Sequence, residues 1–342
     1  MLNLRPFVRS MSSTLPPSHI PLFTTVAAFR EWRQVSRRDG KSVGFVPTMG
    51  GLHDGHMSLV RRSLAENDLT VLSIFVNPAQ FAPHEDLEKY PRTLPHDLEI
   101  LEAQSVAVQL QGASGDSKVR KTSAVFLPSV QEMYPSGIDQ DRAAQRGTFV
   151  DVKGYSDQME GMSRPGFFRG VATVVTKLFN AIEPTNAYLG QKDIQQCLIL
   201  RHMCRDLLLS HPDPAHLHIV PTVRDPVDNL ALSSRNVYLS VAERKLAPTL
   251  FRALKAAEQA WNDRHPKVVC VQHAKNVVDE VASISDSDTE IRLDYIEFND
   301  SESMEPLDDT RSITTETSPV ILSGALWLGT TRLIDNIVLG DM

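Results

Sequence analysis

Two almost entirely apolar segments, joined by a glycine-rich turn and a helix-like stretch, constrain the fold of this chain most. Ser42–Thr48 reads SVGFVPT and Leu69–Asn77 reads LTVLSIFVN. Strands of this kind are covered on both faces, as in a parallel sheet. Between them, Asp54 is a plausible helix N-cap, and apolar residues recur at helical spacing. The order strand, helix, strand predicts a βαβ unit and therefore an α/β fold with a parallel sheet.

The same alternation continues along the chain. Spaced apolar residues predict a helix within Phe23–Asp39, before the first apolar strand. Beyond Asn77 the predicted order of elements is helix, strand, helix, strand and strand. These five elements lie at Asp97–Ala103, Val106–Leu110, Val171–Ala181, Ala187–Asp193 (which ends in a turn) and His216–Arg224. We therefore expect a Rossmann-like, doubly wound parallel sheet.

The pattern of predicted elements changes beyond about Asp225. Charged helical segments, Val241–Asp263 and His273–Ser283, precede two apolar strands, LDYIEFND and PVILSGALWLG, which a hairpin-scale polar loop separates. The expected organisation is a disordered leader over 1–20, a nucleotide-binding and catalytic domain over 21–224, and a smaller α+β domain over 225–342 that closes over the active site. Residues 112–123 (GASGDSKVRKTS) have loop composition and are predicted to be a surface insertion.

Charge and cysteine usage narrow the function classes. The net charge is −7 and the chain lacks a dense Lys/Arg block, which disfavours a nucleic-acid partner. Apolar runs fall short of the roughly 18 residues of a membrane span, so we expect no membrane partner. Three cysteines without a Cys-x-x-Cys pair favour a reducing compartment, and we expect a cytoplasmic protein. The alternative is a mitochondrial protein, because no acidic residue precedes Glu31 and the leader contains Arg, Ser and Thr.

The turn after the first strand carries the first candidate site. It reads TMGGLHDGH over Thr48–His56, with His53 and His56 three positions apart. A helix that starts after a glycine turn offers free N–H groups and a positive dipole end to a phosphate, and histidines there add hydrogen bonds. Two other interpretations are histidines that merely cover a helix cap, and a metal site that includes Asp54 but has no third ligand at known zinc spacing.

Three further polar clusters follow later strands. LGQKDIQQC places Lys192 just past a strand, where it is suited to phosphate, and Gln195 and Gln196 at the next helix start. LALSSRNVYLS supplies hydroxyls and a guanidinium, and NPAQF supplies Gln80. The lysine has a plainer interpretation as a solvated surface residue, and the serine–arginine cluster has one as a helix cap with a surface arginine. Since carboxyl ends of parallel strands share one edge, we expect the clusters to converge. A Walker-type P-loop and the Gly-x-Gly-x-x-Gly fingerprint are both absent from the sequence.

These motifs together resemble a known family. His-x-x-His at a strand-to-helix turn resembles the HIGH-type motif of the nucleotidyltransferase superfamily. The ordered set PTMGGLHDGH, SIFVNPAQF, KYPRTLPHD, RPGFFRGVATVV, LGQKDIQQ, LALSSRN and LGTTRLIDN resembles the pantoate–β-alanine ligase family from about Pro21 to Leu339. The leader, 112–123 and Asp206–Ala215 look like additions of a eukaryotic, fungal-type member.

The resemblance implies an ATP-dependent ligase of pantothenate and coenzyme A biosynthesis. ATP and (R)-pantoate form pantoyl adenylate and pyrophosphate, and β-alanine then releases AMP and yields pantothenate. Magnesium accompanies ATP, no metal is held by the protein alone, no tightly bound prosthetic group is expected, and a homodimer is implied.

Matching of motifs assigns roles to individual residues. The implied catalytic residues are His53, His56 (as general acid), Lys192, Ser233, Ser234 and Arg235. The implied ATP site consists of Met49, Gly50, Gly51, Leu52, His53, Asp54, Gly55, His56, Gly190, Gln191, Lys192, Asp193, Val223, Leu232, Ser233, Ser234 and Arg235. Gln80 and Gln196 would bind pantoate, Gln80 also lying near β-alanine, and Tyr90 is a further candidate near the phosphates. Phe167 and Gln191 depart from the family pattern, which often has His and Glu there.

Four other functions remain as alternatives. A class I aminoacyl-tRNA synthetase would need a tRNA-binding surface, and a cytidylyltransferase would lack the pair Gln80 and Gln196. A degenerate ligase retained as a nucleotide sensor or scaffold would not need the phosphate-suited residues. A metallohydrolase would hold a metal after dialysis.

Overall fold

A computed structural model describes residues 15–82, 87–109, 117–284, 289–316 and 318–341. Its larger part is built on a six-stranded sheet in which every neighbouring pair is parallel. The strands are β1 (Leu22–Phe23), β2 (Val43–Thr48), β3 (Leu69–Ile74), β6 (Ala124–Phe126), β7 (Asn186–Gly190) and β8 (Leu217–Val220), and their spatial order is β1-β6-β3-β2-β7-β8. The chain reverses direction of winding between β2 and β7, which makes the carboxyl ends of these two strands the switch point of the sheet.

Helices cover both faces of this sheet. The helices of this part of the chain are α1 (Val26–Arg38), α2 (Asp54–Glu66), α3 (Leu94–Glu102), α4 (Val130–Met133), α5 (Glu160–Ser163), α6 (Phe167–Ile182) and α7 (Ile194–Asp206). Phe45 of β2 packs into a core with α1 and α6, whereas its neighbour Val46 packs into a second core with α2 and α3. Since successive strand residues point to opposite faces, the continuous apolar run reflects burial on both sides. The predicted doubly wound α/β fold is confirmed.

The C-terminal part is a smaller α+β unit. Helices α8 (Val241–Leu246), α9 (Thr249–Asn262) and α10 (Lys267–Ile284) accompany an antiparallel sheet of β9 (Ile291–Asp300), β10 (Val320–Leu328) and β11 (Thr331–Leu339). Three details differ from the sequence prediction. Pro248 separates α8 from α9, residues 301–319 are longer than a hairpin loop, and β11 was not predicted because its polar residues mask the alternation. The predicted boundary at 224/225 stays a prediction.

Two local predictions in the N-terminal half are wrong in detail. The segment predicted as helix from Phe23 begins as strand β1, and α1 starts only after Thr25, whose hydroxyl caps it. Part of the predicted loop 112–123 is strand β5 (Ser117–Arg120), which pairs with β4 (Val106–Gln109) in a separate antiparallel hairpin. Residues 112–116 of that prediction lie outside the described residues.

The N-terminal segment is attached to the fold from Ser18 onward. The Ser18 hydroxyl and the His19 N–H both donate to the Glu102 carboxylate of α3, at 3.0 and 2.8 Å. Residues 1–14 of the predicted leader lie outside the described residues. Within the described residues, no helix is long and apolar enough to cross a membrane.

Arg120 gives the hairpin a structural role. Its guanidinium donates to the carbonyls of Leu64 and Ala65 at the end of α2 and to Asp68, at 3.2–3.3 Å. A cation at a helix C-terminus satisfies free carbonyls and the helix dipole. We therefore expect Arg120→Ala to lower the free energy of unfolding by about 1–2 kcal/mol without changing activity.

Urea unfolding of Arg120→Ala and Lys118→Ala tests this expectation, because Lys118 lies exposed on the same strand. Equal stability of the two variants would contradict it.

We also expect that deletion of residues 112–123 leaves activity largely intact, since surface insertions tolerate such changes, but that it lowers stability through the loss of Arg120.

Candidate active site

Four polar segments meet at the carboxyl edge of the main sheet. They follow β2, β3, β7 and β8, and the C-terminal unit lies against them. Together they enclose a cleft of about 240 Å³, and a second cavity of about 570 Å³ adjoins it between the two parts of the chain. The expected convergence of the strand ends is therefore present.

The glycine turn after β2 is held from within. Gly50 and Gly51 have φ of +85° and +62°, a region that glycine enters without strain. The N–H of Gly50 donates to the Thr48 hydroxyl at 3.2 Å, and the N–H groups of Gly51 and Leu52 donate to the Asp97 carboxylate at 3.1 and 2.9 Å. These three N–H groups of the turn are therefore already paired, whereas the N–H groups expected to be offered to a phosphate are those at the start of the helix that follows.

His53, rather than Asp54, is the N-cap of α2. Its Nδ1 accepts the N–H of Gly55 at 3.1 Å, so the ring proton of the neutral imidazole lies on Nε2. The Nε2–H is then available as a donor to an anion. The ring of His56 lies beside it, with the ring centroids 4.2 Å apart. Asp54 is the first helical residue and is exposed.

Both imidazoles are neutral near pH 7 because their pKa values are lowered. Burial and the nearby Lys192 charge lower the pKa of His53 to about 4. Burial, His53 and Lys192 lower the pKa of His56 to about 3, and its Nδ1 is buried without a partner. A bound polyphosphate would reverse the effect of Lys192 and raise both pKa values, since an opposite charge favours the protonated ring.

The lowered pKa values predict acid sensitivity of the free protein. In the unfolded chain these histidines bind protons at about pH 6.5, whereas in the folded chain they do so only near pH 4 or below. As the pH falls from 6.5 towards 4, the free energy of unfolding should therefore decrease, by about 1.4 kcal/mol per pH unit for each histidine. Urea unfolding between pH 7 and pH 5 measures this slope. The double variant His53→Gln/His56→Gln should flatten it, and an unchanged slope would contradict the assignment.

Lys192 lies in the turn that follows β7. Gln191–Asp193 form one turn of 3₁₀-helix before α7, and the Lys192 Nζ lies 3.6 Å from the Asp193 carboxylate with 16% of the side chain exposed. Gln196 lines the cleft. Gln195 is buried instead against the 155–160 loop, where its amide donates to the carbonyls of Tyr155 and Gln158.

The segment after β8 brings hydroxyls and a guanidinium. The Leu232 N–H donates to the Val223 carbonyl at 3.0 Å, which holds the two ends of this segment together. Ser233 caps the following 3₁₀ turn, its hydroxyl accepting the Arg235 N–H at 3.3 Å. The Tyr90 hydroxyl interacts with Ser234, and burial raises the pKa of Tyr90.

Gln80 is oriented by neighbours that sequence reasoning passed over. Its Oε1 accepts from Asn77 at 3.1 Å, and the Asn77 Oδ1 accepts the hydroxyl of Tyr134 at 2.6 Å. Gly170 of α6 allows the close approach, because a Cβ there would lie 2.2 Å from the Ala79 carbonyl oxygen.

Most predicted site residues line the cleft. They are Met49, His53, Gly55, His56, Gln80, Gly190, Lys192, Asp193, Gln196, Val223, Leu232, Ser233, Ser234 and Arg235. Five do not line it, namely Gly50, Gly51, Leu52, Asp54 and Gln191. Leu52 is a core residue, the glycines serve the turn, Asp54 faces solvent, and Gln191 pairs with Asn336.

An apolar wall on α6 was missed as part of the site. It consists of Val171, Val174, Val175 and Leu178. The run VATVV predicted a buried helix, but its sequence holds no signal that one stretch faces a cleft.

Comparison with known proteins identifies the family. The family model described as pantoate-beta-alanine ligase matches residues 21–338. Pantothenate synthetase of Roseiflexus castenholzii is 44% identical over 92% of this chain and 98% of its own. Pantoate–beta-alanine ligase of Saccharomyces cerevisiae is 42% identical over 93% of this chain and 99% of its own. The chain belongs to the pantoate–β-alanine ligase family.

Solved structures of this family agree with the fold. Pantothenate synthetase of Thermus thermophilus covers 93% of this chain and 99% of its own, with a TM-score of 0.74 and 38% identity. Pantoate–beta-alanine ligase of Francisella tularensis, crystallised with beta-gamma ATP and beta-alanine, covers 93% of this chain and 97% of its own, with a TM-score of 0.66 and 29% identity.

The two departures from the ligase pattern have distinct surroundings. The ring of Phe167 lies under the Arg164 guanidinium, 3.8 Å from its centre, and the guanidinium donates to the Gln80 carbonyl at 3.2 Å. Stacking on a ring face attracts such a cation, so Phe167 helps to hold the Arg164 guanidinium beside Gln80. Gln191 keeps its side chain on Asn336 at 3.3 Å.

The metal interpretation of the histidine pair finds no third ligand. Among the described residues, no three His, Cys, Asp or Glu side chains are grouped as a metal site would require. The three cysteines are buried as free thiols.

Proposed function

We propose that the chain condenses (R)-pantoate with β-alanine to pantothenate at this cleft, with cleavage of ATP to AMP and pyrophosphate through a pantoyl adenylate. It is a ligase of the family identified above, and the Francisella relative was crystallised with beta-gamma ATP and beta-alanine. The observation that carries the proposal is the convergence on one cleft of the neutral histidine pair, Lys192 and Arg235 with two glutamines.

The first half-reaction needs stabilisation of negative charge. The pantoate carboxylate attacks the α-phosphorus, the bond to the pyrophosphate oxygen breaks, and charge develops on the leaving group. His53 offers its Nε2–H, and Lys192 and Arg235 offer full charges in the same cleft. Donors already in place stabilise such charge without reorganisation. We assign His56 the general acid role once bound phosphate has raised its pKa.

The second half-reaction needs the acyl adenylate held beside an amine. Gln80 and Gln196 present carboxamides that donate to and accept from the hydroxyls and carboxylate of pantoate. The α6 wall suits the two methyl groups on the pantoate chain. β-Alanine attacks the acyl carbon and AMP leaves.

The alternatives fit these features less well. The net charge of −7 gives no support for a tRNA-binding surface, and the histidine pair lacks a third metal ligand among the described residues. A sensor that no longer catalyses would not require the Asn77–Gln80 orientation or the complete set of phosphate-suited side chains.

We further propose that magnesium arrives with ATP, that the protein works as a homodimer in the cytoplasm, and that neither nucleic acid nor a membrane is a partner. A mitochondrial location is the alternative for the acid-free N-terminus. Light scattering at micromolar concentration should give the dimer mass, and a monomer mass would end that part of the proposal. Imaging the chain with and without residues 1–20 decides the compartment.

The decisive experiment measures pyrophosphate release from Mg·ATP. Release should require pantoate, and multiple turnovers with AMP and pantothenate should require β-alanine as well. A folded protein that binds ATP but shows no pantoate-dependent release would favour the sensor and overturn the proposal.

A further inference from the structure

Strand β11 of the C-terminal sheet carries two neighbouring polar residues that the proposed reaction does not use. Asp335 and Asn336 are 4% and 2% exposed. Buried polar groups require hydrogen-bond partners, and successive strand residues point to opposite faces. Each of the two therefore engages a different part of the molecule.

Asn336 engages the backbone of the turn that carries Lys192. Its Nδ2 donates to the carbonyls of Gln191 and Lys192, at 2.8 and 2.9 Å, and its Oδ1 accepts the Gln191 amide at 3.3 Å. Of the two polar atoms of the Asn336 side chain, Nδ2 carries both hydrogens, so it can donate one to each carbonyl. A carboxylate of the same shape would face both carbonyl oxygens without a hydrogen to share.

Asp335 binds Arg224, which lies just before the segment that carries Arg235. Its two oxygens accept from the Arg224 guanidinium at 2.6 and 2.9 Å, and Arg224 stacks on Phe251 at 3.8 Å. The backbone of Arg224 also forms an antiparallel β-bridge with Ala231, which directly precedes the segment Leu232–Arg235. Two adjacent residues of one strand thus hold both segments that bring Lys192 and Arg235 to the cleft.

We propose that Asn336 is a positioning residue that sets the place of the Lys192 ammonium, an inference that rests on the proposed ligase function. A lysine side chain has a flexible four-carbon stem, so the backbone from which the stem starts sets the region that its ammonium can reach. Release of two carbonyls from Asn336 lets the turn rotate, and displacement by about 1 Å is enough to slow chemistry strongly.

The test is a double-variant cycle on the rate of pantoate-dependent pyrophosphate release. Asn336→Ala should slow it about tenfold or more, and Asn336→Asp further. In a Lys192→Ala background the same Asn336→Ala change should alter the rate less than about twofold, because its effect runs through the lysine. Asn299→Ala is the matched control, since Asn299 is 1% exposed in β9 and its amide donates to the Met304 carbonyl at 3.0 Å. It should lower stability without slowing release.

The outcomes separate the inference from the proposed function. A wild-type chain without pantoate-dependent release contradicts the function itself. With an active wild type, an equal loss from Asn336→Ala in both backgrounds, or no loss, overturns the inference. Rates are measured where circular dichroism shows each variant folded, and Asn336→Ser, which keeps one donor, replaces any variant that does not fold and should fall between wild type and Asn336→Ala.

Discussion

Lys192→Ala should reduce the rate of adenylation on the order of 10²-fold or more. The ammonium lowers the pKa values of both histidines of the pair, and its side chain is only 16% exposed. Such a charge acts on phosphate with little screening by water. Single-turnover release of pyrophosphate from Mg·ATP and pantoate measures the loss, and a loss below about threefold removes Lys192 from the catalytic set.

The same variant has a second, independent signature. Without the lysine charge, the pKa values of His53 and His56 should rise, because Lys192 is among the causes that lower them. Titration of the imidazole resonances by NMR detects the shift. Lys255→Ala is the control, since that lysine is 54% exposed on α9 and should alter neither the rate nor the titration.

Asp97→Ala should be the most destabilising single change at the site. The carboxylate is 1% exposed and accepts from Gly51, Leu52 and the Thr93 hydroxyl, at 2.9–3.1 Å. Its removal leaves the Leu52 N–H buried and the Gly51 N–H partly buried, both without an acceptor. We expect the free energy of unfolding to fall by about 3–5 kcal/mol, and adenylation by the folded fraction to slow because the turn before His53 relaxes.

Urea unfolding with parallel rate measurements tests this, and Asp97→Asn refines it. The carboxamide keeps one acceptor oxygen but turns a donor towards the other N–H, so a loss of about 2 kcal/mol is expected. Asp54→Asn is the matched control, because Asp54 is an exposed acid beside the same turn. It should leave the free energy of unfolding nearly unchanged. A decrease of less than about 1 kcal/mol in the free energy of unfolding of Asp97→Ala would show that the turn keeps its conformation without Asp97.

Local patterns were sufficient to predict the parallel sheet and the convergence of the polar segments that follow its strands. Doubly buried strands such as β2 have no polar face, and a helix between two of them forces a parallel connection. Polar residues directly after such strands must meet, because carboxyl ends share an edge. This is why the sequence alone predicts that His53, Lys192 and Arg235 lie close together, as they do along one cleft.

Predictions failed where the partner of a group lies far along the chain. Nothing near Gly51 indicates that Asp97 will accept its N–H, and nothing in the sequence of β4 and β5 indicates that they pair with each other instead of joining the main sheet. The helix cap at His53 rather than Asp54 depends on a ring rotamer that the sequence does not specify.

The sequence by itself determined the α/β class, the parallel strands flanking the first helix and a set of side chains chemically suited to phosphate, since these follow from apolar periodicity and side-chain chemistry. Only the tertiary structure decided the state and the exact setting of those residues. Burial makes the histidine pair neutral, Asp97 holds its turn, and Asn336 holds the lysine turn from 144 positions away. Desolvation and buried hydrogen bonds arise only when distant segments pack, so no local pattern records them.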